Sequence, residues 1–292
     1  MNHSTLQQVN HMPLINGSTE LFGIIGSPVS HSLSPAMHNA AFASLGMNRV
    51  YVPMPVRDLA EAMSGLRGLG FKGVSVTVPY KEAVIPFLDE TDPVAERIGA
   101  VNTLLLRQDN AGRTVIRGCN TDWLGSNAAL AAAGIALERS RVVVAGAGGA
   151  AKAVGFGLMQ AGAKVVITNR TAASGMKLAE WLGCEFVALD DLPWLTADVF
   201  VNTTSAGMEP DREGIIISPA LLPRFAAVMD IVYAPLETRL LREARAAGCR
   251  AVDGLAMLLH QGAEQFRLWT GEAAPEAAMR SALERAQLAE SH

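Results

Sequence analysis

The chain has 292 residues, half of them hydrophobic and 18% charged, with a net charge of −4. That length suffices for two domains of ordinary size, and the acidic balance gives no electrostatic case for nucleic acid or an anionic membrane as partner. Cys119, Cys184 and Cys249 lie far apart without metal-ligand spacing, so structural thiols in a reducing cytoplasm are expected and no metal site is. No apolar run is long enough to span a bilayer. Met1 to Gly17 is polar, lacks the basic-then-apolar order of a signal peptide, and reads as a loose tail.

From Leu21 onward, strand-like and helix-like segments alternate. Leu21–Ile25 is a short apolar run ending at Gly26, Ser27 and Pro28. Pro35–Leu45 has helical spacing, with Ser34 as N-cap and Pro35 at the first helical position. Val50–Met54 reads as a strand, Asp58–Leu69 as a helix capped by Asp58, and Gly73–Val78 as a β-branched strand with a short helix after Lys81. Val101–Leu106 and Thr114–Ile116 pair around the turn at Asp109, Asn110, Ala111 and Gly112. An Ala-rich helix from Asp122 to Ala133 bridges to a βαβ rhythm. That rhythm comprises strand Val142–Val144, helix Ala150–Gln160, strand Lys164–Thr168 and helix Ala172–Leu182. Strands at Phe186–Leu189, Val199–Val201 and Val228–Val232, a helix Thr238–Ala247 and a short strand at Ala251–Val252 follow. Helices Leu255–Trp269 and Glu276–Ala289 close the chain.

This spacing predicts an α/β chain: an N-terminal α/β substrate domain with an inserted Rossmann-type, doubly wound parallel-sheet domain. Residues 1–121 form the first domain, 122–254 the inserted one, and helices in 255–292 pack back on the first. The reacting atoms are expected in the cleft between them.

The most informative stretch is Val142 to Ala151, where four apolar residues run into Gly146, Ala147, Gly148, Gly149 and Ala150 and a helical pattern follows. Strand, glycine-dense turn and helix is the arrangement in which a pyrophosphate meets free backbone N–H groups and the positive end of a helix dipole. The spacing falls short of the full G-x-G-x-x-G. The next strand ends in Asn169, Arg170 and Thr171, with no acidic residue to take a ribose 2′-hydroxyl. Arg170 lies 24 residues beyond Gly146, and its fork suits a 2′-phosphate, which favours NADP over NAD.

In the first domain, Ser30, Ser32 and Ser34 sit between a strand and a helix, where hydroxyls cap a helix or meet a carboxylate or polyhydroxylated ligand. Thr77 and Lys81 lie at the end of an apolar strand, Lys81 being either a cleft residue or a solvated helix start. Asn102 interrupts a strand. Asp122 follows Asn120 and Thr121 and is either an N-cap or a cleft carboxylate.

Taken together, these motifs resemble the shikimate dehydrogenase family from about Leu21 to Gly271. The matching blocks are Gly26-x-Pro28-x-x-His31-Ser32-x-Ser34-Pro35-x-x-His38-Asn39, Val76 to Lys81, Gly99 to Leu104, Asn120 to Asp122, Gly146 to Ala150, Asn169 to Thr171, Asn202 to Met208, and Asp253 to Gln261. The resemblance implies reversible, NADPH-dependent reduction of 3-dehydroshikimate to shikimate, in the cytoplasm, by a monomer or homodimer. It implies Lys81 and Asp122 as the catalytic pair, and Ser32, Ser34, Thr77, Asn102, Asp122, Tyr233 and Gln261 as substrate residues. Gly146, Ala147, Gly148, Gly149, Ala150, Asn169, Arg170, Thr171, Ile231 and Gly254 become cofactor residues, and His31 and His38 remain structural. Ser75 stands where many members carry Asn, Trp123 where Gly is frequent, and Ser174 where NADP members carry a second basic residue, Lys177 lying one helical turn on. These departures leave a quinate/shikimate or aminoshikimate enzyme with NAD or dual cofactor use as the alternative.

Overall fold

The computed structural model describes residues 15–290; most of the polar leading segment, residues 1–14, lies outside the described residues. The first half builds β1 (Glu20–Gly26), α1 (Ser34–Ser44), β2 (Arg49–Pro55), α2 (Leu59–Gly68), β3 (Gly73–Val76), α3 (Tyr80–Ala83), β4 (Glu90–Thr91), α4 (Pro93–Ile98), β5 (Thr103–Gln108) and β6 (Thr114–Cys119). Its six strands form one mixed sheet in the order β2-β1-β3-β5-β6-β4. β1 runs parallel to β2 and β3, while β5 is antiparallel to both β3 and β6.

Helix α5 (Asp122–Ala132) leads into β7 (Arg141–Ala145), α6 (Gly149–Gln160), β8 (Lys164–Thr168), α7 (Ala172–Leu182), β9 (Glu185–Phe186), β10 (Val199–Asn202), β11 (Ala227–Asp230), α8 (Arg239–Ala246) and β12 (Arg250–Val252). These strands pair only in parallel, in the order β12-β11-β10-β7-β8-β9. Strand order therefore reverses between β7 and β10, and a crevice opens at their carboxyl ends, the position where open parallel sheets bind ligands. Val142 and Val144 pack into one core with Val154 and Leu158, and Val143 and Ala145 into another with Phe200 and Leu240. Burial on both faces is why β7 is a continuous apolar run rather than an alternation.

The chain closes with α9 (Gly254–Thr270) and α10 (Glu276–Glu290). Leu258, Leu259 and Phe266 of α9 and Met279 and Leu283 of α10 share a core with Phe22, Ile24, Met37 and Phe42 of the first half. Met257 of α9 instead joins the core of the second sheet. α9 lies close against α5 because Gly125 has no side chain: a Cβ there would stand 2.6 Å from Gln261 Cβ. No helix among the described residues is long and apolar enough to cross a membrane.

Several local expectations are corrected. Ser34 is not an N-cap: Leu33 holds that place without a side-chain bond, and Ser34 is the first residue of α1. Ser32 Oγ instead accepts from Ser34 N at 3.3 Å. β3 ends at Val76, since Pro79 has no N–H to continue a ladder and Tyr80 N turns back to Thr77 O at 2.9 Å. The short helix begins at Tyr80, so it contains Lys81 rather than following it. In 186–189 only Phe186 is in a strand, and a 3₁₀ turn with an internal Pro193 begins at Leu189. Helix α4, which the hydrophobic period did not indicate, carries its own signals: Asp92 accepts from Val94 N, Pro93 opens the helix, and Gly99 ends it at φ 67°.

Candidate active site

Four side chains, from α3, α5, α9 and the residue before β5, converge where the two halves of the chain meet. Lys81 Nζ of α3 lies 2.6 Å from Asp122 Oδ2 of α5, and the two side chains are 18% and 5% exposed. Asn102, just before β5, donates from Nδ2 to Asp122 Oδ1 at 2.8 Å and to Gln261 Oε1 of α9 at 3.3 Å. Asp122 is not a capping residue: Thr121 occupies the N-cap, and the Asp122 carboxylate turns to Lys81 and Asn102, one bond on each oxygen. Its backbone is held in turn, Asp122 N donating to Asn120 Oδ1 at 3.0 Å and Asn120 Nδ2 to Ala100 O at 2.8 Å. Asn102 Oδ1 accepts from Thr121 N at 2.8 Å and from Thr103 Oγ1 at 2.6 Å. A buried network with this many mutual bonds permits little rotamer freedom, and the carboxylate holds the ammonium in one place.

A second group lies beside it. Tyr51 of β2 donates its hydroxyl to Ser75 Oγ at 2.7 Å, and Ser75 Oγ donates to Gln265 Oε1 at 3.0 Å. Gln265 Nε2 reaches Asn102 O at 3.1 Å and Thr103 Oγ1 at 3.0 Å, tying this group to the first. Burial raises the Tyr51 phenol well above its ordinary range, against hydrogen bonds from the Ser75 and Ser34 side chains, and Tyr233 adds a smaller push upward. The hydrogen bond to Ser34 thus ties the start of α1 to this group. Thr77 directly follows β3 and lies against the end of β1, its Cγ2 only 2.3 Å from where a Cβ on Gly26 would lie. His31 is exposed. His38 is fully buried, stacked on Tyr51 at 4.6 Å, and burial drives its imidazole down to about 3, so it stays neutral and serves as packing.

The opposite wall is built largely from backbone. Gly146 leaves β7 at φ 130°, and a Cβ there would meet Thr203 Oγ1 at 2.4 Å. Gly148 has nothing within 4 Å of its Cβ position and is the N-cap of α6, which no side chain caps. The turn therefore offers open space in front of free N–H groups at a helix N-terminus, which fits a dinucleotide pyrophosphate. Ala145 pairs with Thr168 and Gly146 N donates to Thr168 O at 2.9 Å, so the loop and Asn169–Thr171 leave the sheet side by side. Asn169 Nδ2 donates to Thr171 O and Ser174 Oγ at 3.0 and 2.8 Å, which shapes the turn. Arg170 and Lys177 are exposed and, among the described residues, have no hydrogen-bond or ion-pair partner. Gly254 packs on Ile231, its Cβ position 2.4 Å from Ile231 O, at the carboxyl ends of β11 and β12. Gly149 lies against Lys81, its Cβ position 3.5 Å from Lys81 Cβ, which brings the helix N-terminus to the ion pair.

Tyr51, Gln265 and Asp230 were missed from the sequence. Gln265 falls four residues after Gln261, the spacing that places both on one helix face, and could have been found that way. Asp230 ends β11 fully buried and accepts from Asn202 Nδ2 at 2.9 Å, Val232 N at 3.1 Å and Thr238 Oγ1 at 2.7 Å. The arrangement as a whole can hold a polyhydroxylated acid against a fixed ammonium–carboxylate pair, with a nucleotide phosphate site next to it.

Three family models match the chain. One, described as the shikimate dehydrogenase substrate binding domain, matches residues 24–104; shikimate / quinate 5-dehydrogenase matches 128–210; and the shikimate 5′-dehydrogenase C-terminal domain matches 254–284. The chain is 47% identical over 290 residues to a protein of Moorella thermoacetica named shikimate dehydrogenase (NADP(+)), with 95% of this chain and 97% of that one covered. A protein of the same name from Methanosarcina acetivorans is 45% identical over 273 residues, covering 89% and 96%. Among solved structures, shikimate 5-dehydrogenase of Thermus thermophilus in complex with NADP(H) and shikimate is similar with a TM-score of 0.83 and 42% identity, covering 91% of this chain and 99% of that one.

Proposed function

The chain belongs to the shikimate dehydrogenase family, and from that premise we propose that it catalyses the reversible NADPH-dependent reduction of 3-dehydroshikimate to shikimate, an oxidoreductase acting on a CH–OH group. The observation that carries this reading is the Lys81–Asp122 pair, 2.6 Å apart and set against the glycine turn of the second sheet. NADPH, when bound, supplies the hydride to the ring carbonyl. Lys81 stabilises the negative charge that grows on the carbonyl oxygen and supplies the proton that completes the hydroxyl; Asp122 holds Lys81 in place and accepts from a ring hydroxyl. Asn102, Thr77 and Gln261 orient the ring, and Ser32, Ser34 and Tyr233 take the carboxylate side. Gly146, Ala147, Gly148, Gly149 and Ala150 cradle the pyrophosphate. Arg170, with Asn169 and Thr171, reads the 2′-phosphate, and Ile231 and Gly254 border the far end of the cofactor.

In this reading residues 1–121 with 255–292 make up the substrate domain, and 122–254 the NADP domain. The unpaired cysteines Cys119, Cys184 and Cys249 accord with a cytoplasmic enzyme, acting as a monomer or homodimer. The NADP-named relatives favour shikimate and NADP over the quinate or NAD alternative. Initial rates with shikimate and quinate, each with NADP and NAD, test this. Shikimate with NADP is expected to be fastest, and a higher kcat/KM on quinate overturns the substrate assignment.

A further inference from the structure

Outside the cleft network, the two halves meet along one face of α6. Gly149, Lys152, Ala153 and Phe156 recur at the three- and four-residue spacing that aligns side chains on a helix, and each touches the first half. Gly149 abuts Lys81 and Ala100. Lys152 Nζ is 2.7 Å from Glu82 Oε2, beside the end of α4, where a Cβ on Gly99 would lie 3.9 Å from it. Ala153 and Phe156 are buried with Ile98 and Ala100. Trp123 stands edge-on to Phe156 at 5.8 Å, and the Arg97 guanidinium lies over the Phe156 ring at 5.4 Å.

Two facts about this face bear on the chemistry. Glu82 follows Lys81 directly, and Lys152 lies in the first turn of α6, whose N-terminus is the anion-binding end. The apolar part of the contact is non-directional and tolerates sliding. An ion pair this exposed adds little to stability, but it is directional and sets the register in which the apolar faces meet. Hydride transfer depends on near-attack geometry, and the two groups to be aligned, Lys81 and the α6 N-terminus, come from different halves.

We propose that Glu82 and Lys152 are a positioning pair, fixing α6 and the dinucleotide at its N-terminus relative to the Lys81 ammonium. This rests on the NADP-dependent reading above. Glu82→Gln lowers kcat for shikimate oxidation by about three- to tenfold while the NADP Kd from calorimetry stays within about twofold, because the dinucleotide's own contacts are untouched. The charge-exchanged E82K/K152E protein regains at least about half of the wild-type kcat, whereas E82K alone does not. In ligand-free protein, amides in 80–84 and 149–156 exchange hydrogen about threefold or more faster in E82Q than in wild type. A kcat for E82Q within about twofold of wild type, unchanged exchange, or an exchanged double no better than the worse single overturns the proposal. Where E82K/K152E does not fold, E82Q/K152Q decides: a double no worse than the worse single supports the pair, and multiplying losses overturn it. A wild-type protein that oxidises neither shikimate nor quinate defeats the functional reading alone, because the ligand-free exchange comparison still judges the pair.

Discussion

The two walls of the cleft are made of different material. On the substrate wall, Lys81, Asn102, Asp122 and Gln261 are side chains bonded to one another, and Asn102 and Asp122 are buried. On the proposed cofactor wall, the groups on offer are the backbone of Gly146–Ala150 and an exposed Arg170 with no protein partner among the described residues. Polar groups buried in a satisfied network are costly to disturb, since removing one orphans the next, whereas backbone donors are lost only by changing the path of the chain. In the proposed reading, selectivity for the reacting molecule therefore resides in side-chain identity on one wall. In the same reading, affinity for the cofactor resides in loop geometry on the other.

The contrast is tested most severely at Lys81. Lys81→Ala is expected to lower kcat by about 10²- to 10⁴-fold with a smaller change in KM for shikimate, as loss of a transition-state contact requires. A kcat within about threefold of wild type would place the chemistry elsewhere. Asp230 is the exception on the cofactor wall, a buried side-chain anchor, and burial raises its carboxyl to about 6 despite three hydrogen bonds that favour the charged form. Its folded-state affinity for a proton exceeds that of the unfolded chain. The favourable contribution is thus present below about pH 4 and lost as pH rises through about 6, on the order of 3 kcal/mol. Denaturant unfolding measured from pH 4 to 7 should show that decline in wild type and a flatter profile in Asp230→Asn.

Gly146→Ala attacks the loop geometry, because φ 130° and the 2.4 Å approach to Thr203 Oγ1 leave no room for a methyl. Its Kd for NADP, measured by calorimetry, should rise about tenfold or more while shikimate binding is retained. The smallest effect is expected at Arg170, an exposed charge. Arg170→Ala should raise KM for NADP about three- to tenfold and leave KM for NAD within about twofold, and equal changes would make it a surface residue only.

The α/β rhythm and the glycine turn were legible in the sequence because they rest on local rules. A doubly buried strand must be apolar, and a sharp turn before a helix needs residues without Cβ. Asp58 as a cap was legible for the same reason, its carboxylate accepting from Glu61 N at 2.9 Å. Ser34 misled because a serine before Pro35 has the composition of a cap, while the backbone placed Leu33 there and left the Ser34 side chain buried beside Tyr51. Asp122 could be read either as cap or as cleft carboxylate, and nothing within a few residues of it distinguishes the two.

By itself, the sequence determined the order of elements, the second sheet's βαβ character, and, through the resemblance, which side chains to examine. Only the tertiary structure decided that Asp122 turns to Lys81, that Gln265 and Tyr51 brace Asn102 and Ser34, and that α6 rests on the segment carrying Lys81. The physical reason is distance along the chain. Hydrophobic period and capping act over a few residues, whereas Asn102 and Gln261 are 159 residues apart and meet only in the folded chain, where the missing Cβ of Gly125 also lets α5 approach Gln261 of α9.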